Sequence, residues 1–312
     1  MEKNITEHAY DSETGNQVHF KRIHKLGHDW IYVAASRKRN FVTNEDYPCP
    51  FNIIHAPDCP CILEGVSVKI HNSHLGKVSA EDLDTVMSLK EAYNASFRGD
   101  EAECWDDIIN RMTGKQNPYP GVNTYVAVIS DKHIPVGALV IEHYTRPNIL
   151  LLTYGFICEQ FRRSGKHYAK HLIKTATDEV CRLAEIPDNE TRTLFEGENP
   201  DKMTAKEKAM APFNPRHRLF WFKSIGGKRL DFNYEQPPLS PQQNPVTNLD
   251  LYCIGNEDIK VSILKAFLKE FYHVLGTNVS EEDRPQYERS LERQLNEIEK
   301  GRIGTTFPDT TY

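Results

Sequence analysis

Between Glu159 and Lys166 the chain places Arg162, Arg163, Gly165 and Lys166 in a short polar turn. The stretch before it, Ile149 to Ile157, is uncharged and mostly β-branched, aliphatic or aromatic. After it, Ala169, Leu172, Ile173, Ala176, Val180, Leu183 and Ala184 recur at three- and four-residue spacing. A strand buried on both faces thus leads through a basic turn into a helix N-terminus. Free N–H groups and the positive end of the helix dipole there suit a phosphate or pyrophosphate. A Walker A loop is excluded, because Gln160 and His167 stand where it needs a Gly and a Ser or Thr.

A second group of reactive side chains is acidic. Glu142, Glu159, Glu196 and Glu198 all fall at the ends of apolar runs, Glu142 after VGALVI and Glu196 after Thr193–Leu194–Phe195. A carboxylate partly buried in such a place has its pKa raised toward the range of a useful general base. Each is equally readable as a solvated charge at a strand end. Two sulfur-based readings are weaker. Cys49, His55, Cys59 and Cys61 lie close together, but they lack the paired C-x2-C spacing of zinc modules and sit among prolines, as an extended loop would. Cys158 ends the apolar run at 149–157 with no paired His evident, so covalent cysteine catalysis has little support.

The elements that must position these groups follow from periodicity. Val66–Ile70 reads as a strand. VSAEDLDTVMSLKEAYNASF has Ser79 as N-cap and a stripe of Leu83, Val86, Met87, Leu89 and Tyr93, which predicts one helix. EAECWDDIINRM predicts a second. Thr124–Ile129 and Val136–His143 read as strands around a turn at 130–132, and the turn at 144–148 leads into Ile149–Ile157. After the helix, 191–196 reads as a strand, 201–215 as a polar loop, and His217–Ile225 as a short helix stopped by Gly226–Gly227. Lys228–Tyr234 and Leu249–Ile254 complete the strands. Two amphipathic helices, with stripes including Ile263, Phe267, Phe271 and Val274, then Tyr287, Leu291, Leu295 and Ile298, end the chain. They read as packed on the core rather than as a partner surface. In the first 62 residues only HFKRIHKL and DWIYVAA suggest short elements.

Taken together, the apolar strand, the basic Gly-containing turn and the helix opening on Ala169 and Leu172–Ile173 resemble the acyl-CoA loop of the GNAT superfamily of N-acyltransferases. The order β, α, α, β, β, β, loop, helix resembles that fold as well, over residues 66–254. The resemblance implies an α/β fold with a mixed, mostly antiparallel central sheet and helices on both faces. It implies an acyltransferase domain over 63–255, between an N-terminal extension (1–62) and a helical C-terminal segment (256–312). It further implies a backbone N–H within Phe156, Ile157 and Cys158 that polarises the acyl carbonyl. The pyrophosphate would lie on Arg162, Arg163, Ser164, Gly165, Lys166, His167, Tyr168 and Ala169, with Asn199 and Phe222 beside the cofactor. The loop departs from the usual pattern by one or two extra residues before Leu172, and by His167 where Gly is common.

On this reading acetyl-CoA is the acyl donor and no metal is needed. The acceptor is an amine of a small molecule, or a lysine or N-terminal amine of a protein. Deprotonating a lysine-like amine at neutral pH costs roughly 4.6 kcal/mol, so a base is required, and Glu196 ranks slightly above Glu142. The family's usual tyrosine acid is replaced by Phe222, which has no proton to give. Either Tyr168, Tyr154 or Tyr234 takes that role, or the thiolate leaves unassisted. The alternative is a catalytically silent CoA-binding scaffold whose tail helices bind partners. The balance of charge, −6, argues against nucleic acid as partner. The seven scattered Cys, and the lack of any leader-like or membrane-length apolar run, lead us to expect a cytoplasmic monomer or homodimer.

Overall fold

The structure is a computed structural model. It describes residues 65–300 except 77, 98–101, 117–118, 163–166, 188–189, 191, 212–213, 239–244 and 256, together with the strands at 6–10, 17–26 and 29–34 and the pair 305–306; in those three strands and at 210, 217 and 278 the backbone alone is described. The suggested zinc residues Cys49, His55, Cys59 and Cys61, and the loop residues Arg163, Ser164, Gly165 and Lys166, lie outside this set.

Near the N-terminus, β1 (Thr6–Tyr10), β2 (Gln17–Leu26) and β3 (Asp29–Ala34) form a three-stranded antiparallel sheet. The two short elements expected there are thus β2 and β3. The main sheet contains β4 (Val66–His71), β5 (Val122–Asp131), β6 (Ile134–Tyr144), β7 (Ile149–Ile157), β8 (Thr193–Glu198), β9 (Gly227–Leu230), β10 (Leu249–Ile254) and β11 (Thr305–Thr306). Its order is β11-β9-β10-β8-β7-β6-β5-β4. Every pair is antiparallel except β7–β8, which is parallel. A parallel neighbour needs a crossover, and the helix α4 (Tyr168–Leu183) supplies it. This mixed sheet, its element order and its helices on both faces make the fold GNAT-like, as the loop and element order imply.

The hairpin between β5 and β6 turns on Lys132 and His133, both with positive φ (49° and 70°). Two such residues match the twist of the flanking strands. One face of the sheet carries Tyr125, Ala127, Ile129, Leu139, Ile141, Leu150 and Leu152. They pack against α4 through Tyr168, Leu172, Ile173, Ala176 and Val180, and against α6 (Pro215–Ser224) through Leu219 and Phe222. The other face is shared. Over β5–β7 it meets α1 (Ala80–Met87), α2 (Lys90–Ser96) and α3 (Trp105–Met112), with Tyr93, Trp105, Ile108 and Met112 against Val126, Val140, Tyr154 and Phe156. Over β7–β10 it meets α7 (Val261–Leu275) and α8 (Arg284–Lys300), with Leu264, Phe267, Leu268, Phe271 and Ile298 against Ile149, Leu151, Leu194 and Leu251.

Three elements depart from expectation. The predicted helix from Ser79 is two, α1 and α2, parted at Ser88–Leu89. Thr85 and Ser88 hydroxyls donate to the carbonyls of Glu81 and Thr85, and such back-bonding bends helices. The polar stretch 201–215 holds a short helix, α5 (Ala205–Met210), nucleated by a capping box between Thr204 and Glu207. The strand predicted at Lys228–Tyr234 ends at Leu230, and residues 231–235 run on without strand pairing.

Candidate active site

The two parallel strands pair over only three positions, Leu150–Thr193, Leu151–Leu194 and Leu152–Phe195. Beyond them β7 continues to Ile157 and β8 to Glu198 without pairing to each other. Thr153 is an extra residue in β7, since Val140 and Ile141 of β6 pair with Tyr154 and Leu152. Such a bulge re-aims side chains at a sheet's working end. A cavity of ≈ 140 Å³ opens at this parting, on the face shared by the N-terminal and C-terminal helices. Its lining is aromatic and acidic: Phe97, Tyr119, Tyr144, Tyr154 and Phe271 stand beside Glu103, Glu142, Glu196 and Glu198.

Glu142 and Glu196 therefore share one cavity, but their surroundings differ. Arg111 of α3 lies buried beneath Glu142, with Nη2 3.2 Å from its Oε1. The same guanidinium makes a two-armed contact to Glu103 at 2.8 and 2.7 Å and stacks over the ring of Tyr119. One cation thus serves two carboxylates. Burial raises the pKa of Glu142, Arg111 pulls it back, and Glu103 pushes it up again. The net direction is upward, because Glu103 already uses both arms of Arg111. Among the described residues no cation contacts Glu196. Its Oε1 accepts from the Tyr234 hydroxyl and its Oε2 from Gln236 Nε2 at 3.1 Å. Burial pushes it up to about 7, opposed by the Tyr234 bond and aided by the charge of Glu142. The third acid, Glu198, is matched by Arg218 Nη1 at 2.5 Å. Glu103 and Glu198 are thus each held by an arginine, and a carboxylate poised near neutrality remains at Glu196.

The other expected site residues fall elsewhere. Tyr168 does not join the carboxylates: it opens α4 on the opposite face of the sheet, packed against that face, and its hydroxyl donates to Asp131. Phe222 is on that face too, packed edge-on to Phe195, tilted against Tyr252 and close on Gly197, where it is core. Tyr154 lines the cavity and its oxygen accepts from the Glu103 N–H at 3.2 Å. Burial raises its pKa well above the ordinary value, so it holds its proton tightly. Tyr234 lies behind Glu196. Asn199 donates to Asp250 and accepts from the Asp201 N–H, which ties the end of β8 to β10. The Cys158 N–H donates to the Val136 carbonyl at 2.8 Å, and Phe156, opposite Ala138 in the same register, turns its N–H toward β6 as well, which leaves Ile157 of the expected carbonyl-polarising stretch. Burial pushes the Cys158 thiol up, against a role as nucleophile. Glu159 begins a single helical turn outside the cavity.

Where the resemblance places the pyrophosphate, the described residues suit an anion. Helix α4 begins at His167 in the left-handed region, φ 45°, with no side-chain cap and no acid in its first turn. Ala169 and Lys170 occupy that turn, so its positive end faces no carboxylate of its own. Arg162 braces the strand end, donating to the Ile157 carbonyl (2.7 Å) and Ser96 Oγ (3.0 Å). The residues that the sequence reading missed are Glu103, Arg111, Arg218 and Gln236. Arg111 and Arg218 sit within short helices and read as surface charges. Gln236 lies in a proline-rich connection with no periodic signal. Among the described residues, no group of three His, Cys, Asp or Glu is placed to hold a metal, and no helix is long and apolar enough to cross a membrane.

No family model matches the chain, and no curated protein matches its sequence. Solved structures do resemble it in shape. An acetyltransferase of the GNAT family from Bacteroides thetaiotaomicron is 14% identical with a TM-score of 0.41, over 61% of this chain and 88% of that one. An acetyltransferase from Streptococcus agalactiae is 14% identical with a TM-score of 0.37, over 61% and 98%. An aminoglycoside 6'-N-acetyltransferase complexed with coenzyme A is 11% identical with a TM-score of 0.35, over 62% and 99%.

Proposed function

We propose that the chain is an acyl-CoA-dependent N-acyltransferase, with acetyl-CoA as donor and an amine as acceptor, and that Glu196 is the general base. The observation that carries this reading is a buried carboxylate, without a counter-cation among the described residues, in an aromatic cavity where β7 and β8 part. An acceptor arrives as an ammonium ion, and an acidic cavity walled by aromatic rings attracts it. Glu196 takes one proton from that ammonium. The freed nitrogen then attacks the thioester carbon, so that a C–N bond forms and the C–S bond breaks. The second proton of the amine leaves with the thiolate sulfur, giving thiol and amide. A thiol with pKa near 8.5 is a fair leaving group, so the reaction does not demand a tyrosine where Phe222 stands. Glu142, steadied by Arg111, adds negative potential that favours the cationic acceptor and raises the basicity of Glu196. The acceptor class remains an amine of a small molecule or of a protein.

Purified protein is first melted with and without acetyl-CoA. A specific ligand at a hundredfold excess over its Kd stabilises by ~2.7 kcal/mol. It is then assayed on a panel of amines, alongside Glu196→Gln. The variant should keep acetyl-CoA binding, lose ~10²–10⁴ in turnover and lose the rate's dependence on a group titrating near neutrality. No stabilisation by millimolar acetyl-CoA overturns the reading. Stabilisation without turnover on any amine supports the scaffold alternative, which the absence of a tyrosine at Phe222 favours.

A further inference from the structure

The segment after β9 alternates in its allegiance. Tyr234 and Gln236 reach forward to the two oxygens of Glu196. Glu235, between them, faces the C-terminal helices, and they occupy every polar group it has. Its N–H donates to Gln294 Oε1 at 3.2 Å. Its carbonyl accepts from the Tyr272 hydroxyl at 3.0 Å and from Gln294 Nε2 at 3.2 Å. Its carboxylate accepts from Ser290 Oγ at 2.6 Å and from Arg293 Nη2 at 2.5 Å. Tyr272 in turn accepts from Gln294 Nε2 at 2.6 Å.

Gln294 is fully buried on the inward face of α8, where the helical stripe otherwise supplies Leu291, Leu295 and Ile298. Burying an amide costs free energy unless it is hydrogen-bonded. Packing alone would place an aliphatic residue there. What the amide gains is reading both backbone groups of one residue, Glu235, which an aliphatic side chain could not do.

We propose that α7 and α8 serve the active site as a positioning clamp, in which Gln294 and Tyr272 fix the backbone of Glu235 and thereby seat Tyr234 and Gln236 on the carboxylate of Glu196. This rests on the reading of Glu196 as the base. Tyr272 and Gln294 are positioning residues, since they act on Glu196 only through that segment. The groups that bear on Glu196 are Tyr234 and Gln236 from the segment, Glu142 and Tyr144 from β6, and Glu198 with Arg218 along the cavity wall. From α7 the cavity receives Phe271, Val274 and Leu275, which carry no charge. Loosening the clamp weakens the two bonds that favour the ionised carboxylate, while burial and the charge of Glu142 stay. The affinity of Glu196 for its proton then rises.

The test uses the full chain with two substitutions, Gln294→Met, which keeps the volume and loses the amide, and Tyr272→Phe, which loses one hydroxyl. Two quantities are read: the titration midpoint of the Glu196 carboxyl carbon by ¹³C NMR, assigned with Glu196→Gln, and the steady-state rate against pH. Each variant should move the midpoint up by about half a unit or more, lower kcat about twofold or more at neutral pH and leave the KM for acetyl-CoA unchanged. An unmoved midpoint in a folded variant overturns the clamp, whether or not the protein turns over substrate. A raised midpoint with unaltered kcat supports the clamp and overturns Glu196 as the base. If Gln294→Met does not fold, Tyr272→Phe, the milder change, decides alone.

Discussion

Glu196 shows how environment outweighs identity. Its ordinary value is near 4.5, and burial holds it at about 7 in the folded chain. The native state therefore binds this proton more tightly than the unfolded state does. The resulting stability is fully present below the ordinary value and is lost as pH rises through about 7, and Glu142 contributes in the same direction. Glu196→Gln has no charge to bury. Its Tm should decline less than the wild type's between about pH 5 and pH 8, and should exceed it at the upper end. Thermal melts across that range check this; parallel curves would mean that Glu196 is solvated. Glu142 and Glu196 could be found from the sequence because apolar runs lead up to them. Their different partners could not, since Arg111, Tyr234 and Gln236 come from segments 31, 38 and 40 residues away.

At the scale of elements, the legible parts are those whose burial leaves no alternative. β7 has the predicted bounds because an uncharged run of that length fits a strand covered on both faces; β10 has them too, its one buried charge, Asp250, being met by Lys202 and Asn199. β9 is short because the chain must leave the sheet after Leu230 to reach Glu196, and the pattern at 231–235 carries no sign of it. Helix α6 shows a tighter constraint. A Cβ on Gly197 would stand 2.3 Å from the ring of Phe222. Gly197→Ala should force α6 off the sheet and cost ~1–3 kcal/mol, seen as a lower denaturation midpoint. Adding Phe222→Leu should recover part of the loss. A neutral Gly197→Ala would show that α6 is not seated as described. The same contact explains why a phenol is not accommodated at 222: its hydroxyl would meet β8, on the face away from the carboxylates.

For the whole molecule, the C-terminal helices are structural as well as positional. Leu264, Phe267, Leu268 and Phe271 are buried against β7, β8 and β10, and burial of each such side chain is worth roughly 1.5–3 kcal/mol. Their total is comparable with the stability of an ordinary domain. Removal of residues 256–312 should therefore give a chain without a cooperative melt or native near-ultraviolet dichroism, rather than a smaller folded domain. A truncated chain with a sharp transition would mean that the core closes without them. The amphipathic stripes of α7 and α8 predicted this packing, but not what the polar members of the second stripe, Ser290, Arg293 and Gln294, hold.

The bonds that complete the cavity span long intervals of sequence: Arg111 to Glu142, Glu196 to Gln236, Glu235 to Gln294, with separations of 31, 40 and 59 residues. Contacts of this kind form late in folding, because loop closure must precede them, whereas helical turns form locally and early. A refolding chain should accordingly recover most of its helical signal in one phase and its activity in a slower one. Activity regain would then act as a clock for the last step of assembly, the docking of α8 against the segment that grips Glu196. Gln294→Met should lengthen that interval while leaving the early phase unchanged, and stopped-flow dichroism run beside an activity time course would register the difference.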